Sequence, residues 1–149
     1  RRPGKPDDPA RGRDRSDSRV GKRETANGGG TVQDCVFCRI VRGEIPSRKV
    51  YEDEEILAFH DIQPVAPVHF MLVPKRHIPS LADATMDDAA VLGRIMALCG
   101  RLAREQGSPE GFRTIVNTGR IGRQDVMHVH VHVIGGPSPL GPMIVRSAS

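Results

Sequence analysis

The chain has no tryptophan, a single tyrosine and only four phenylalanines. Its core must therefore be aliphatic. No apolar run approaches the ~18 residues a membrane span needs, which excludes an integral membrane protein. Three cysteines cannot build a dense disulfide framework, which argues against a small secreted scaffold. Sixteen glycines and twelve prolines follow no collagen-like period. No internal repeat is present.

The formal net charge of +4 at first suggests a nucleic-acid or anionic partner. Mapping the charge removes that reading. Residues 1–30 hold nine basic groups and five acids, which is the whole excess. The remaining residues are balanced, with 13 basic and 13 acidic side chains. A domain without a basic bias gives a nucleic-acid partner little support. Residues 1–34 have no aromatic and almost no aliphatic side chain, and Gly28-Gly29-Gly30 closes the stretch. Such a segment cannot bury enough apolar surface to offset its ordering entropy, so a disordered basic arm is expected over 1–34. It has no apolar core of the kind a secretory signal carries, and its five acids argue against a transit peptide. With cysteine usage that looks reduced, a cytoplasmic location is expected.

Beyond the arm, residues 35–149 read as one domain. Val36, Phe37, Ile40 and Val41 suit a short helix that Gly43 can end. Val50-Tyr51 and Ile56–His60 read as a hairpin, and Val68–Val73 as a buried strand ending at Pro74. Thr85, with Asp88 three residues on, marks a helix start. Val91, Leu92, Ile95, Met96, Cys99 and Leu102 then recur at helical spacing until Gly107. Phe112–Asn117 reads as a strand, Gly119 to Gly122 as a turn, and Val126–Ile134 as the last strand. One long helix among hairpin-linked strands predicts an α+β domain with an antiparallel sheet.

The informative segment is Met127-His128-Val129-His130-Val131-His132-Val133-Ile134. As a strand, with its period of two, it would put three imidazoles on one face and the valines on the other. Three readings compete: a polar sheet face, a metal site, or nucleophilic and acid–base catalysis. Same-face positions are ~6.6 Å apart, a gap that ring rotation can close. Neutral imidazole is a good nucleophile near neutrality, and a phospho-imidazole bond is readily cleaved by water.

His128-x-His130-x-His132 followed by Val133-Ile134 resembles the signature of the histidine triad (HIT) nucleotide-binding family. The upstream blocks resemble it in order: Ala58-Phe59-His60-Asp61-Ile62, Ala66-Pro67-Val68-His69-Phe70, Val73-Pro74-Lys75-Arg76-His77-Ile78, and Asn117-x-Gly119 before Gln124. Pro139-Leu140-Gly141-Pro142-Met143 is similar to the tail of bacterial members of the Hint branch.

The resemblance implies a HIT fold of about five antiparallel strands with one long and one short helix. It implies a homodimer that binds a purine nucleotide of the AMP type. It further implies a purine nucleoside phosphoramidase that cleaves the P–N bond of adenosine 5′-phosphoramidates through a nucleotidyl-histidine. His130 would be the nucleophile. His132 would contact the phosphate or leaving group, and His69 would orient His130 and handle protons. Asn117 and the main chain near Gln124 would hold the α-phosphate, and Asp61 the ribose hydroxyls. Phe37, Ile40, Phe59 and Ile62 would line the purine slot. On the residues alone, core packing is the better reading of those four; only their place in the resemblance points to the purine. Many Hint members carry Gly-Gln-Ser where this chain has Arg123-Gln124-Asp125. Asp125 beside the anion would favour a cationic amine leaving group, and Arg123 departs from the glycine of the phosphate loop. Two other functions remain open: a dinucleoside polyphosphate hydrolase of the same superfamily, and a non-catalytic nucleotide sensor or scaffold.

Cys35-x-x-Cys38 is a redox pair, half of a zinc site, or two buried thiols. His77 and His128 would complete a tetrahedral Cys₂His₂ set, as in similar zinc-bearing members of the superfamily. With four protein ligands, one such Zn²⁺ would be structural. No organic cofactor is expected. Cys99 is expected to be buried and inert, and His60 to be a strand residue without a role.

Overall fold

A computed structural model describes residues 34–147. The arm expected over 1–34 lies outside the described residues, Asp34 excepted. The described chain falls into two compact units. The first comprises residues 34–46, Arg76–Ala84 and Thr118–Val129; the second comprises Ser47–Lys75, Thr85–Asn117 and residues 130–147.

The second unit carries the sheet. Its strands are β1 (Lys49–Glu52), β2 (Ile56–His60), β3 (Val68–Pro74), β4 (Arg113–Ile115) and β5 (Val131–Gly135). All neighbours pair antiparallel in the order β1-β2-β3-β5-β4. Asp53 makes the first hairpin: its Oδ1 accepts from the N–H groups of Glu55 at 2.8 Å and Ile56 at 2.9 Å. This is the turn chemistry that aspartate favours.

The long helix α2 (Ala89–Gln106) follows a 3₁₀ turn at Met86–Asp88. The expected start is present as a reciprocal box in which Thr85 accepts from the helix and Asp88 accepts from the Thr85 N–H. Gly107 ends the helix with φ +109°, a conformation that favours glycine. Val91, Ile95, Cys99, Leu102 and Ala103 form the buried stripe. It is narrower than expected, because Met96 is 48% exposed and Leu92 only half-buried.

Helix α2 packs across β3 and β5. Phe70 and Leu72 of β3 share a face with Val131 and Val133 of β5, and all four are buried. Side chains of this size each contribute roughly 1.5–3 kcal/mol when fully buried. His69, Met71 and His132 point to the opposite face by the same alternation.

Two strands differ from expectation. β4 spans only Arg113–Ile115, not Phe112–Asn117. β5 begins at Val131, so the run Val126–His130 is not strand. There the His128 N–H turns back to the Val126 carbonyl at 2.8 Å, and the Val129 N–H bonds the Ile78 carbonyl at 2.7 Å. A two-residue turn cannot belong to an extended ladder. His128, His130 and His132 therefore do not share one strand face; only His132 lies within β5.

The first unit holds the short helix α1 (Val36–Val41) and a 3₁₀ turn at Leu81–Asp83. Among the described residues no helix is long and apolar enough to cross a membrane.

Gly135 in β5 admits no side chain, because a Cβ there would run into Ser108 Oγ. Gly135→Ala is expected to lower stability by ~1–3 kcal/mol. Urea unfolding checks this, with a Tm lower by on the order of 10 °C.

Candidate functional site

In the second unit, register builds a histidine group. His69 pairs across β3 and β5 with Ile134, and Met71 with His132, which makes His69 and His132 diagonal neighbours. His69 Nε2 and His132 Nδ1 are 2.9 Å apart. The His132 ring meets His130 edge-on, with centroids 5.0 Å apart. His130 is 2% exposed and His69 is buried.

Just past β2, Asp61 comes to the same place. Its N–H bonds the His69 carbonyl at 3.1 Å, and its Oδ2 lies 3.3 Å from His69 Nε2. Its Oδ1 accepts from the Gln63 N–H at 2.8 Å. Burial lowers the His69 pKa, with the Asp61 charge opposing. His69 is therefore neutral near pH 7.

The structure thus brings together His130, His132, His69 and Asp61. Of the other expected site residues in this unit, Phe59 is buried on the Met71 side of β2, and Asn117 is half-buried two residues beyond β4. Ile62 is 94% exposed. His60 ends β2 opposite Phe70. Cys99 is buried as expected, its Sγ 3.4 Å from the Ile95 carbonyl, and burial raises its pKa.

In the first unit, a second cluster joins Cys35, Cys38, His77 and His128. Their donor atoms all lie within 4.8 Å of one another. Cys35 Sγ is 3.4 Å from His128 Nδ1, and Cys38 Sγ is 3.3 Å from His77 Nδ1 and 3.6 Å from His128 Nδ1. The two Nδ1 atoms are 3.2 Å apart. A tetrahedral ion with Zn–S of ~2.3 Å and Zn–N of ~2.0–2.1 Å would have edges of about 3.3–3.8 Å. The donor set fits such an ion.

Local structure explains the convergence. Cys35 caps α1, and its Sγ accepts the Cys38 N–H at 3.4 Å. One helical turn then presents both sulfurs together. His128 is fully buried, with Phe37 packed edge-on at 5.9 Å between centroids. A hydrogen bond from Cys38 pulls the Cys35 thiol far below its ordinary value against the effect of burial, with His128 and His77 adding to it. The same bond and burial push Cys38 up.

Gln124 also lies in the first unit. Its Oε1 accepts the Gly119 N–H at 2.9 Å, and its Nε2 donates to the carbonyls of Pro79 at 2.8 Å and Val126 at 2.9 Å. The side chain is therefore a loop brace, as well as a neighbour of any main-chain site. Asp125 is exposed and Ile40 is half-buried. Sequence reasoning missed two features. One is this brace. The other is the Val65 N–H, which donates to His69 Nδ1 at 3.1 Å. A main-chain donor leaves no mark in residue identity.

The HIT domain model matches residues 42–138. The chain belongs to the HIT family. It is 42% identical over 116 residues to the purine nucleoside phosphoramidase of Escherichia coli strain K12, covering 77% of this chain and 97% of that one. It is 43% identical over 106 residues to the protein HitA of Neisseria gonorrhoeae, covering 71% of this chain and 99% of that one. Among solved structures, the HIT family hydrolase from Clostridium thermocellum superposes with a TM-score of 0.72 at 40% identity, over 77% of this chain and all of that one.

Arg123, where many Hint members carry glycine, is the sole non-glycine with positive φ among the described residues, at +60°. The left-handed conformation costs an L-residue roughly 1–2 kcal/mol. The loop is tight: a Cβ on the preceding Gly122 would sit 2.6 Å from the Thr118 carbonyl oxygen. Arg123→Gly is expected to raise stability by ~0.5–1 kcal/mol, and Gly122→Ala to lower it, both read by urea unfolding.

Proposed function

We propose that this chain is a purine nucleoside phosphoramidase that hydrolyses the P–N bond of adenosine 5′-phosphoramidates. The observation that carries this reading is the contiguous group in which the His132 ring touches both His130 and His69, and His69 touches Asp61. The 42% identity to an E. coli enzyme of that name supports the substrate class.

In the first step a ring nitrogen of His130 attacks the α-phosphorus. The P–N bond breaks, and its electron pair leaves with the amine nitrogen, which takes a proton through His132 as solvent resupplies that ring, so that His132 stays neutral. A nucleotidyl-histidine at His130 results. Water then adds to phosphorus, the bond to His130 breaks, and the water proton is returned through His132. His69, neutral and hydrogen-bonded to His132, orients that ring. Splitting one displacement into two easier ones is the gain of covalent catalysis.

Asn117 and the main chain around Gln124 and Asp125 hold the α-phosphate in this reading, and Asp61 the ribose. Phe37, Ile40, Phe59 and Ile62 contact the purine. The Asp125 carboxylate favours a cationic amine leaving group over a second nucleotide. The protein acts as a homodimer, a reading supported by the exposed Met96 flank of α2 and by β4 at the sheet edge.

Turnover of a fluorogenic adenosine 5′-phosphoramidate tests the reaction, with diadenosine tetraphosphate alongside. His130→Ala is expected to lower kcat at least ~10³-fold. Turnover of the dinucleotide alone would move the chain to the polyphosphate hydrolases. AMP binding without turnover of either would make it a sensor.

Cys35, Cys38, His77 and His128 hold one structural Zn²⁺, which supplies a cross-link and no open coordination position. The purified protein is expected to contain about one zinc per chain by elemental analysis. Cys38→Ser should lose it and lower Tm by on the order of 10 °C. A metal-free wild type of unchanged Tm would refute the site.

A further inference from the structure

The hydrogen bonds around His69 specify where its proton lies. Nδ1 accepts the Val65 N–H at 3.1 Å. An accepting ring nitrogen carries a lone pair, so the neutral ring bears its one hydrogen on Nε2. That atom lies 2.9 Å from His132 Nδ1 and 3.3 Å from Asp61 Oδ2. Across the shorter contact His69 donates and His132 Nδ1 accepts. The neutral His132 ring then carries its own hydrogen on Nε2.

We infer that the Asp61–Val65 turn is a tautomer lock, in which the Val65 main-chain N–H is a positioning group that fixes His69 as the Nε2–H form and, through it, makes His132 present an Nε2–H donor. The turn is built around His69 at both ends. The Asp61 N–H bonds the His69 carbonyl, Asp61 Oδ1 accepts the Gln63 N–H, and Val65 then returns to the ring. Pro64 has no N–H to offer, so Val65 is the next donor along the chain.

The lock also excludes a rival reading of the same atoms. Asp61, His69 and His132 have donor atoms close enough to hold a cation. Metal on His69 Nε2 would move its proton to Nδ1, where it would face the Val65 N–H with two hydrogens and no acceptor. The turn therefore commits His69 and His132 to proton handling rather than to a metal.

The kinetic half of the test rests on the phosphoramidase reading, whereas the spectroscopic half needs no substrate. In the ¹⁵N-labelled full chain, long-range ¹H–¹⁵N correlation spectra are expected to show a pyridine-like Nδ1 and a pyrrole-like Nε2 on both His69 and His132. ¹⁵N–¹⁵N couplings should cross the Val65–His69 and His69–His132 hydrogen bonds. His69 protonated on Nδ1, or both couplings missing, overturns the inference. Val65→Pro removes the N–H. It is expected to release a second tautomer at both rings and lower kcat on the order of 10²-fold, with KM changing far less. Val65→Ala keeps the N–H and should keep both tautomers. If Val65→Pro leaves both rings unchanged, the Val65 role is refuted. If that variant does not fold, the wild-type couplings decide alone.

Discussion

The register of β3 against β5 is the constraint on which the rest depends. Strand side chains alternate faces, so a slip of one residue would exchange them. In the observed register Phe70, Leu72, Val131 and Val133 are buried together, and that arrangement sends His69 and His132 to the other face. The apolar pattern that stabilises the sheet thus also aligns the chemistry. A substitution that weakened the packing enough to shift the register would disperse the histidine group even if every histidine remained.

Much of this was legible in the residues. The first hairpin, the Thr85–Asp88 start of α2, its end at Gly107 and the burial of Cys99 follow from local patterns whose physical causes act locally. The final strand was misread because Val/His alternation satisfies a period of two whether or not a ladder forms. What ends the pairing before Val131 is a turn at Val126–His128 and a bond from Val129 to Ile78, and neither has a sequence signature. His128 leaves the histidine row and joins two cysteines and His77, distant in sequence. The bracing role of Gln124 was hidden for a related reason: a side-chain amide that holds three main-chain groups looks like any other glutamine.

The two units meet different energetic demands. The second has a sheet and a long helix, and its order rests on aliphatic burial. The first has one six-residue helix and few large apolar side chains, among them Phe37, Ile78 and Val129. Polar ties must supply more of its order. The Gln124 brace and the Cys–His cluster are of that kind, and small folds with thin cores commonly use such staples. The opposite shifts of Cys35, downward, and Cys38, upward, fit the same picture, because two buried thiolates without a cation would repel each other.

Ser108 and Gly135 illustrate a constraint of another kind. The Ser108 hydroxyl bonds the Gly111 carbonyl at 2.6 Å and accepts the Gly136 N–H at 2.9 Å, filling the space a side chain at 135 would need. Over the sequence's drift, neither position is free to change alone: a larger residue at 135 needs a smaller one at 108, and removing the hydroxyl strands two main-chain partners. The two positions thus behave as one unit of variation, although they lie 27 residues apart in the chain.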